Sequence, residues 1–229
     1  MRRIVVGAFA SLDGVMQAPG GPEEDPTGGF AHGGWTTAFW DDAMNAAVGE
    51  SFAAPFDLLL GRRTYDIFAA HWPYFETDPD KSEFDALNAG IAERFNKLTK
   101  YVLTHRPESL SWANSEALGD DPMARIRELK ASDGPVLMTQ GSTELLNLLF
   151  AHDLVDEIRL TTFPLVLGRG KRLFDGHAAA RTWKLVSSHA SNDKGGVHSV
   201  YERAGPVETG SFAMAEPSAA ELERRRTLT

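Results

Sequence analysis

The stretch DLLLGRRTYDIFAAHWP, residues 57 to 73, predicts a short apolar strand that ends at Gly61 and a helix that follows at once and stops before Pro73. Arg62 and Arg63 put two positive charges at the start of this helix, where the helix dipole disfavours cations. A bound anion would remove the conflict, because a helix N-terminus flanked by arginines is a ready phosphate site. Two solvated surface arginines are the alternative, and this segment alone leaves both open.

The change from a strand to a helix recurs along the chain, and this alternation is typical of an α/β layered domain with a mostly parallel sheet. Strands are predicted at residues 3–10, 57–60, 100–107 and 155–168, with a weaker one near 110–113. Helices are predicted at residues 39–52, 62–70, 81–97 and 120–131, the last with Asp121 as its N-cap. The segment PVLMTQGSTELLNLLFAHDL (135–154) combines a strand, a Gly-Ser-Thr turn and a leucine-rich helix.

The sequence pattern at the end of the domain predicts an antiparallel hairpin, with strands at 182–190 and 195–204 and a turn at 192–195. We therefore expect one domain over residues 1–204 and a C-terminal extension over 205–229 that could add an edge strand and a short charged helix. A Gly/Pro-rich connection at 17–38 is longer than most structureless loops inside a domain, so we expect it to fold back onto an apolar surface.

Composition excludes several classes of function. The formal net charge of −9 argues against a nucleic-acid-binding surface, and no stretch of the sequence has the length and hydrophobicity of a membrane span. The absence of cysteine excludes disulfides, iron–sulfur clusters and thiolate zinc sites, and the sequence suggests no other metal site. These features are compatible with a reducing cytoplasm, and the local arginines favour an anionic ligand.

Residues suited to an anion follow three predicted strands. They are Gly61–Thr64, Thr104–Arg106 and Gly141–Thr143. Ligands of open α/β sheets bind at the carboxyl ends of the strands, so three such segments together predict a dinucleotide phosphate site, although the Gly-x-Gly-x-x-Gly and Walker A motifs are absent. Each segment also has a simpler interpretation, as a turn or a surface loop.

The motifs IVVGAFASLDGVM, LLLGRRTYDIF, KYVLTHRP and VLMTQGSTELLNLLFAHDLVDEIRLTTFPLVLGRGKRLF occur in an order that resembles the dihydrofolate reductase superfamily. SLDG (11–14) and LVDEIRL…PLVLGRGKRLF (154–174) resemble its RibD C-terminal domain branch, the reductase of riboflavin biosynthesis. The resemblance covers roughly residues 2–203. It implies a three-layer αβα dihydrofolate reductase-like fold with a central, mostly parallel mixed sheet and NADPH bound across the strand ends.

The resemblance also implies roles for individual residues. The phosphates of NADPH would contact Gly61, Arg62, Arg63 and Thr64. The adenosine 2′-phosphate would lie near Leu103, Thr104, His105 and Arg106. The pyrophosphate turn would be Gln140, Gly141, Ser142 and Thr143, with Gly-Ser where the family usually has two glycines, and the nicotinamide would lie near Ala8 and Ser11.

Candidates for the chemistry are less distinctive. Asp13 is a candidate proton donor, although it is equally an ordinary Asp-Gly turn residue. Asp41 and Asp42 begin a helix on which folate enzymes carry a substrate-binding acid, but Trp40 stands where that acid would fall. Trp35 and Trp40 could stack on a flat heterocycle, with Trp35 the favoured cleft residue. A substrate phosphate would need cations such as Arg169, Lys171 and Arg172.

The resemblance thus implies a cytoplasmic, homodimeric NADPH-dependent reductase that transfers a hydride to a pterin- or pyrimidine-like small molecule, as 5-amino-6-(5-phosphoribosylamino)uracil reductases do. Three alternatives stay open. The first is a dihydrofolate reductase proper, the second is a non-catalytic NADP-binding protein, and the third is an α/β interaction protein without a nucleotide site.

Overall fold

A computed structural model describes residues 1–191, 194–212 and 216–228. Within these residues one mixed sheet has the strand order β4-β3-β2-β5-β1-β6-β8-β7. The strands are β1 Ile4–Ser11, β2 Phe56–Gly61, β3 Lys100–Leu103, β4 Ser115–Ala117, β5 Val136–Gln140, β6 Glu157–Phe163, β7 Trp183–Ala190 and β8 Val197–Arg203. The helices are α1 Asp42–Ser51, α2 Arg62–His71, α3 Ala86–Lys97, α4 Pro122–Ala131, α5 Thr143–Ala151 and α6 Ala219–Arg226.

Strands β1 to β6 are paired in parallel, and β8 lies antiparallel between β6 and β7. This arrangement confirms the predicted α/β fold with a mostly parallel sheet and a closing antiparallel hairpin. Because parallel strands end at the same edge, the carboxyl ends of β1, β2, β3, β5 and β6 lie together. The start of β8 lies at that edge as well, because β8 runs in the opposite direction.

The sheet separates two apolar layers, as the alternation of side chains along a strand requires. In β2, Leu59 packs on one face with the leucines of α5, whereas Leu58 and Leu60 pack on the other face with Tyr65 and Phe95. Helices α4 and α5 therefore cover one face, and α2 and α3 cover the other. Among the described helices, none is long and apolar enough to cross a membrane.

Several predicted boundaries differ from the structure for local reasons. Helix α1 begins at Asp42, because the carboxylate of Asp41 caps it and a 3-10 turn precedes it. Helix α3 begins at Ala86, because Asp85 accepts a hydrogen bond from the Asn88 amide. Two predicted strands are shorter than expected, β3 ending at Leu103 instead of 107 and β6 at Phe163 instead of 168.

The prediction of a strand at 110–113 is wrong. The strand that pairs with β3 is β4, Ser115–Ala117. Trp112 is instead buried in the layer beneath α2, and its amide donates to the Tyr65 hydroxyl. In the extension, α6 confirms the predicted helix, and the described residues 204–212 contain no strand. The turn predicted at 192–195 lies partly outside the described residues.

Phe56→Ala should lower the free energy of unfolding by about 3–5 kcal/mol, since it leaves a cavity where the ring stacks on Phe52 and contacts Phe95. Urea titration followed by circular dichroism measures this change. The matched control is Phe212→Ala, because the Phe212 side chain is fully exposed and its removal should change stability by less than about 0.5 kcal/mol. Equal effects of the two substitutions would contradict the assignment of Phe56 to the core.

Candidate functional site

A cavity of about 820 Å³ lies at the edge where the parallel strands end. Its outer part is lined by the starts of α2 and α5 and by residues 16–25 of the long connection. Its inner part is lined by side chains of β1, β6 and β8, together with the last turn of α1. The volume falls in the range of about 300–1,000 Å³ that is typical of small-molecule sites.

The N-termini of α2 and α5 meet at this cavity. The amide of Gly61 donates to the Ser142 hydroxyl oxygen over 2.9 Å. A Cβ atom at Gly61 would lie 3.2 Å from the Ser142 Cβ atom, so glycine permits this close approach. Ser142 itself has φ +73°, a left-handed conformation that turns the chain sharply from β5 into α5. Two of the three predicted anion segments are therefore in direct contact.

The start of α5 leaves backbone donors available. The amide groups of Ser142, Thr143 and Glu144 donate to no acceptor among the described residues, and all three residues line the cavity. Unpaired amides and the positive end of the helix dipole together favour an anion. The phosphate groups of a dinucleotide fit this donor set, and the predicted Gly141–Thr143 turn provides it.

Arg62 connects α2 to the third predicted segment. Its guanidinium donates to Asp66 over 2.8 Å, to the Thr104 hydroxyl over 3.2 Å and to the Ser109 hydroxyl over 2.7 Å. It also donates to the carbonyl oxygen of Arg106. Arg62 lines the cavity with a side chain that is 20% exposed, and the same guanidinium holds residues 104–109 beside the start of α2.

The predicted 2′-phosphate segment lies outside the cavity itself. Leu103, Thr104, His105 and Arg106 are not among the residues that line it. The side chain of Arg106 is 63% exposed and lies 3.8 Å from Asp66, so its guanidinium is accessible to a ligand at the outer rim. Arg63 and Thr64 line the cavity, and Arg63 lies 3.5 Å from the carboxylate of Asp25.

The long connection folds over the cavity. The side-chain amide of Gln17 donates to the carbonyl oxygens of Asp25 and Thr27, both over 2.9 Å. The buried carboxylate of Asp25 pairs with Lys171 over 2.5 Å. Because Lys171 is paired and Arg172 donates to the backbone of Asp13 and Gly168, neither is a free cation for a substrate phosphate.

The structure places the two predicted tryptophans differently. Trp35 is buried, packs edge-on against Phe163 with ring centroids 5.5 Å apart, and donates to the Gln17 carbonyl oxygen. It does not line the cavity, so its predicted place in the cleft is corrected to a core position. Trp40 does line the cavity, with its ring edge-on to Phe9 at 5.6 Å.

None of the predicted acids lines the cavity. Asp41 caps α1 by accepting from the Met44 amide, and Asp42 lies in the first turn, where the dipole favours an acid. Asp13 and Ser11 are likewise used for structure. The Ser11 hydroxyl donates to the carboxylate of Asp13 over 2.6 Å, and Ser11 is buried away from the cavity, which corrects its predicted contact with nicotinamide.

The carboxylate of Asp13 is a poor proton donor. The hydrogen bond from Ser11, followed by those from the Leu167 and Gly168 amides, holds the pKa of the Asp13 carboxyl well below its ordinary value. Asp13 therefore stays ionised and fastens the loop after β6 to the turn after β1. The prediction that it donates a proton is corrected to this structural role.

The inner end of the cavity contains polar residues that the sequence analysis did not identify. Thr161 on β6 and His198 on β8 are both buried, and the Thr161 hydroxyl lies 2.9 Å from Nδ1 of His198. Arg159, two residues before Thr161, lines the same region. The register that pairs Thr161 with His198 is a tertiary property, and no local motif around His198 indicates it.

The chain is similar to known proteins over most of its length. The family model of the RibD C-terminal domain matches residues 2–195. Two uncharacterized proteins of Bacillus subtilis (strain 168) are similar in sequence. YyaP is 25% identical over 177 residues, covering 76% of this chain and 80% of YyaP. YwjB is 24% identical over 173 residues, covering 76% of this chain and 83% of YwjB.

Two crystal structures have a similar fold. One is a protein of Shewanella sp. PV-4, described as a candidate riboflavin biosynthesis protein, with a TM-score of 0.54, 19% identity, and coverage of 88% of this chain and 99% of that chain. The other is the dihydrofolate reductase of Enterococcus faecalis complexed with NADP(H) and RAB-propyl, with a TM-score of 0.50, 14% identity, and coverage of 88% and 96%. Identities this low show a dihydrofolate reductase-like fold and nothing further.

Asp13→Asn should destabilise the protein at pH 7, and the difference from wild type should shrink as the pH falls. The reason is that the folded-state pKa lies below the ordinary value of 3.8, so the ionised group stabilises the fold above that value and this contribution is lost at lower pH. The difference should be constant from pH 7 to about pH 5 and shrink below about pH 4, and urea denaturation between pH 2 and 7 measures it. The control is Asp120→Asn at an exposed loop position, and a gap for Asp13→Asn that is constant across this range would contradict the structural role.

Proposed function

The chain belongs to the RibD C-terminal domain family, and on that premise we propose that it is an NADPH-dependent reductase of a pterin- or pyrimidine-like small molecule. Family and fold together suggest a reductase-type enzyme. The observation that carries the proposal is the meeting of the α2 and α5 N-termini at Gly61 and Ser142, where unpaired amides line one cavity.

We propose that the pyrophosphate of the cofactor binds the amides of Ser142, Thr143 and Glu144, with Gly61 and Thr64 on the facing helix start. The positive ends of both helix dipoles favour its charge there. The 2′-phosphate would contact Arg106 at the outer rim, because that guanidinium is exposed and Arg62 holds its backbone in place. When bound, the cofactor supplies a hydride, and the protein has to orient both partners and exclude water.

The inner part of the cavity would bind the heterocycle. Trp40 and Phe9 offer flat apolar surfaces, and Thr161, His198 and Arg159 offer polar contacts. Gln140 of β5 and Ala8 of the adjacent β1 also line the cavity, and we place the nicotinamide there, next to the substrate. Trp40 stands where folate enzymes carry an acid, and this favours a substrate other than dihydrofolate.

We also propose that two copies pair through β7, the edge strand of the sheet. Leu185 and Val186 on β7 are both 52% exposed, and an uncovered apolar edge strand favours pairing with a second chain.

Light scattering should give about twice the 25.0 kDa mass of the chain. Leu185→Lys should convert the dimer to a monomer, and a monomeric wild type would contradict the proposal.

Arg106→Ala should weaken NADPH binding about tenfold and leave NADH binding unchanged, because only NADPH carries the 2′-phosphate and an exposed charge-assisted hydrogen bond contributes about 1.4 kcal/mol. Isothermal titration of both cofactors measures this difference. Arg127→Ala, an exposed arginine of α4 outside the cavity, is the control and should affect neither cofactor. Equal losses of NADPH and NADH would contradict the placement of the 2′-phosphate.

Turnover separates the remaining alternatives. Loss of NADPH absorbance is measured with 5-amino-6-(5-phosphoribosylamino)uracil, with 7,8-dihydrobiopterin and with dihydrofolate. Oxidation with either of the first two supports the proposal. Oxidation of NADPH with dihydrofolate alone identifies a dihydrofolate reductase. Tight binding of NADPH without oxidation by any of the three compounds identifies a non-catalytic NADP-binding protein. If NADPH does not bind, the α/β interaction protein is the alternative that remains.

A further inference from the structure

The carboxylates that line the cavity are engaged elsewhere or lie at its outer part. Asp25 pairs with Lys171 and also accepts from the Thr27 hydroxyl. Glu24 accepts from the amides of Gly20 and Gly21 and so holds the turn of its own loop, and Glu23 is exposed on the same loop at the outer part. Glu144 lies in the first turn of α5. The inner part of the cavity, beside Trp40 and Phe9, contains an imidazole instead of a carboxylate.

His198 lines the cavity, and one of its two ring nitrogens makes no hydrogen bond to a described residue. The residue is 7% exposed and lines the cavity, and its Nδ1 atom lies 2.9 Å from the Thr161 hydroxyl. Nε2 makes no hydrogen bond to any residue that the structure describes. It is also not fully enclosed by the protein, so another molecule can reach it. Nε2 is therefore the ring atom left to contact a molecule inside the cavity.

Thr161 suits both protonation states of the imidazole. The imidazolium carries a hydrogen on both ring nitrogens, and when Nε2 gives its proton away the neutral ring keeps Nδ1–H, so Nδ1–H donates to the Thr161 hydroxyl oxygen in both states. In either state the same contact fixes the ring orientation, so Nε2 can lose and regain a proton without a rearrangement of the side chain. A histidine held in this way is the usual arrangement of a proton-transferring residue.

The charges around His198 come from three elements. Arg159 lies on β6, His189 on β7 and Glu50 on α1. Burial, followed by the positive charge of Arg159 and the nearby His189, lowers the pKa of the His198 imidazole, while Glu50 opposes this change. Arg159 is itself held by Glu157 over 2.6 Å and by the Ser51 carbonyl oxygen over 2.5 Å, so its charge stays in place.

We propose that His198 is a catalytic residue that gives a proton from Nε2 to the substrate, and that Thr161 is the positioning residue that orients it. The inference rests on the proposed reductase function. The substrate carbon of a C=N or C=O bond gains the hydride of the reduced nicotinamide, and the π-electron pair moves to the nitrogen or oxygen. That atom takes the proton of Nε2, and water returns a proton to the imidazole.

His198→Gln tests the role, because glutamine keeps a hydrogen-bonding group but cannot transfer a proton near neutral pH. We expect kcat to fall about 10²–10⁴-fold, the range for loss of general acid catalysis, with little change in NADPH affinity. Wild-type kcat should rise as the pH falls toward the lowered pKa of His198, since the protonated fraction increases, and the variant should lose this dependence. His152→Gln, an exposed histidine after α5, is the matched control and should behave as wild type.

Thr161→Val and Thr161→Ser keep the imidazole and provide a test that does not depend on the His198 variant. Thr161→Val should lower kcat by a larger factor than it changes KM, and it should shift the pH profile of kcat. Thr161→Ser should keep kcat and the pH profile close to wild type, because serine retains the hydroxyl. Identical behaviour of valine and serine would overturn the positioning role of Thr161.

A spectroscopic measurement on wild type separates this inference from the proposed function. With NADP⁺ bound, addition of 7,8-dihydrobiopterin should shift the imidazole resonances of His198 and its titration midpoint, while those of His152 stay fixed. If NADPH binds but these resonances do not respond, or if Glu24→Gln abolishes turnover and His198→Gln does not, the role of His198 is overturned and the reductase proposal stands. If wild type does not bind NADPH, both fail together.

Discussion

The hydrogen bond from the Gly61 amide to the Ser142 hydroxyl is the contact on which the rest of the site depends. It joins the starts of α2 and α5 across the adjacent strands β2 and β5. Glycine at 61 gives it room, since an added Cβ atom would lie 3.2 Å from the Ser142 Cβ atom, and residue 142 is left-handed. A non-glycine residue in that conformation costs about 1–3 kcal/mol, and the hydrogen bond offsets part of the cost. The result is a pair of helix N-termini directed at one cavity.

This contact divides the cavity into two chemically different parts. The outer part combines two helix N-termini with unpaired amides, and it favours negative charge. The inner part combines aromatic surfaces with the Thr161–His198 pair, and it favours a neutral heterocycle with polar edges. The connection over residues 16–25 covers the outer part, held by the buried Asp25 and its partner Lys171. Arg63 faces the same carboxylate, so neither arginine at the start of α2 stands as an uncompensated charge.

Local patterns predicted most of the fold. Strand and helix periodicity, together with N-caps such as Asp121, placed five of the helices close to their observed positions. The rule that parallel strands end at one edge placed Gly61 and Gly141 at the cavity, whereas Thr104 lies outside it. Predictions that depend on tertiary contacts were less accurate. Trp35 is in the core and not in the cleft, because its indole packs on Phe163. Arg62 lines the cavity as expected, but the sequence did not show that it also holds the loop over residues 104–109. His198 was missed because only the register of β8 against β6 places it beside Thr161.

The start of α5 is the proposed site for the phosphates of a reduced nicotinamide dinucleotide, and the proposed function depends on it most directly. Amide chemical shifts of ¹⁵N-labelled protein, recorded during a titration with NADP⁺, test this claim without requiring turnover. The amides of Ser142, Thr143 and Glu144 should move together with that of Gly61, and those of α4 on the same face of the sheet should not. Saturable binding that leaves these four amides unmoved, or no binding at all, would contradict the account.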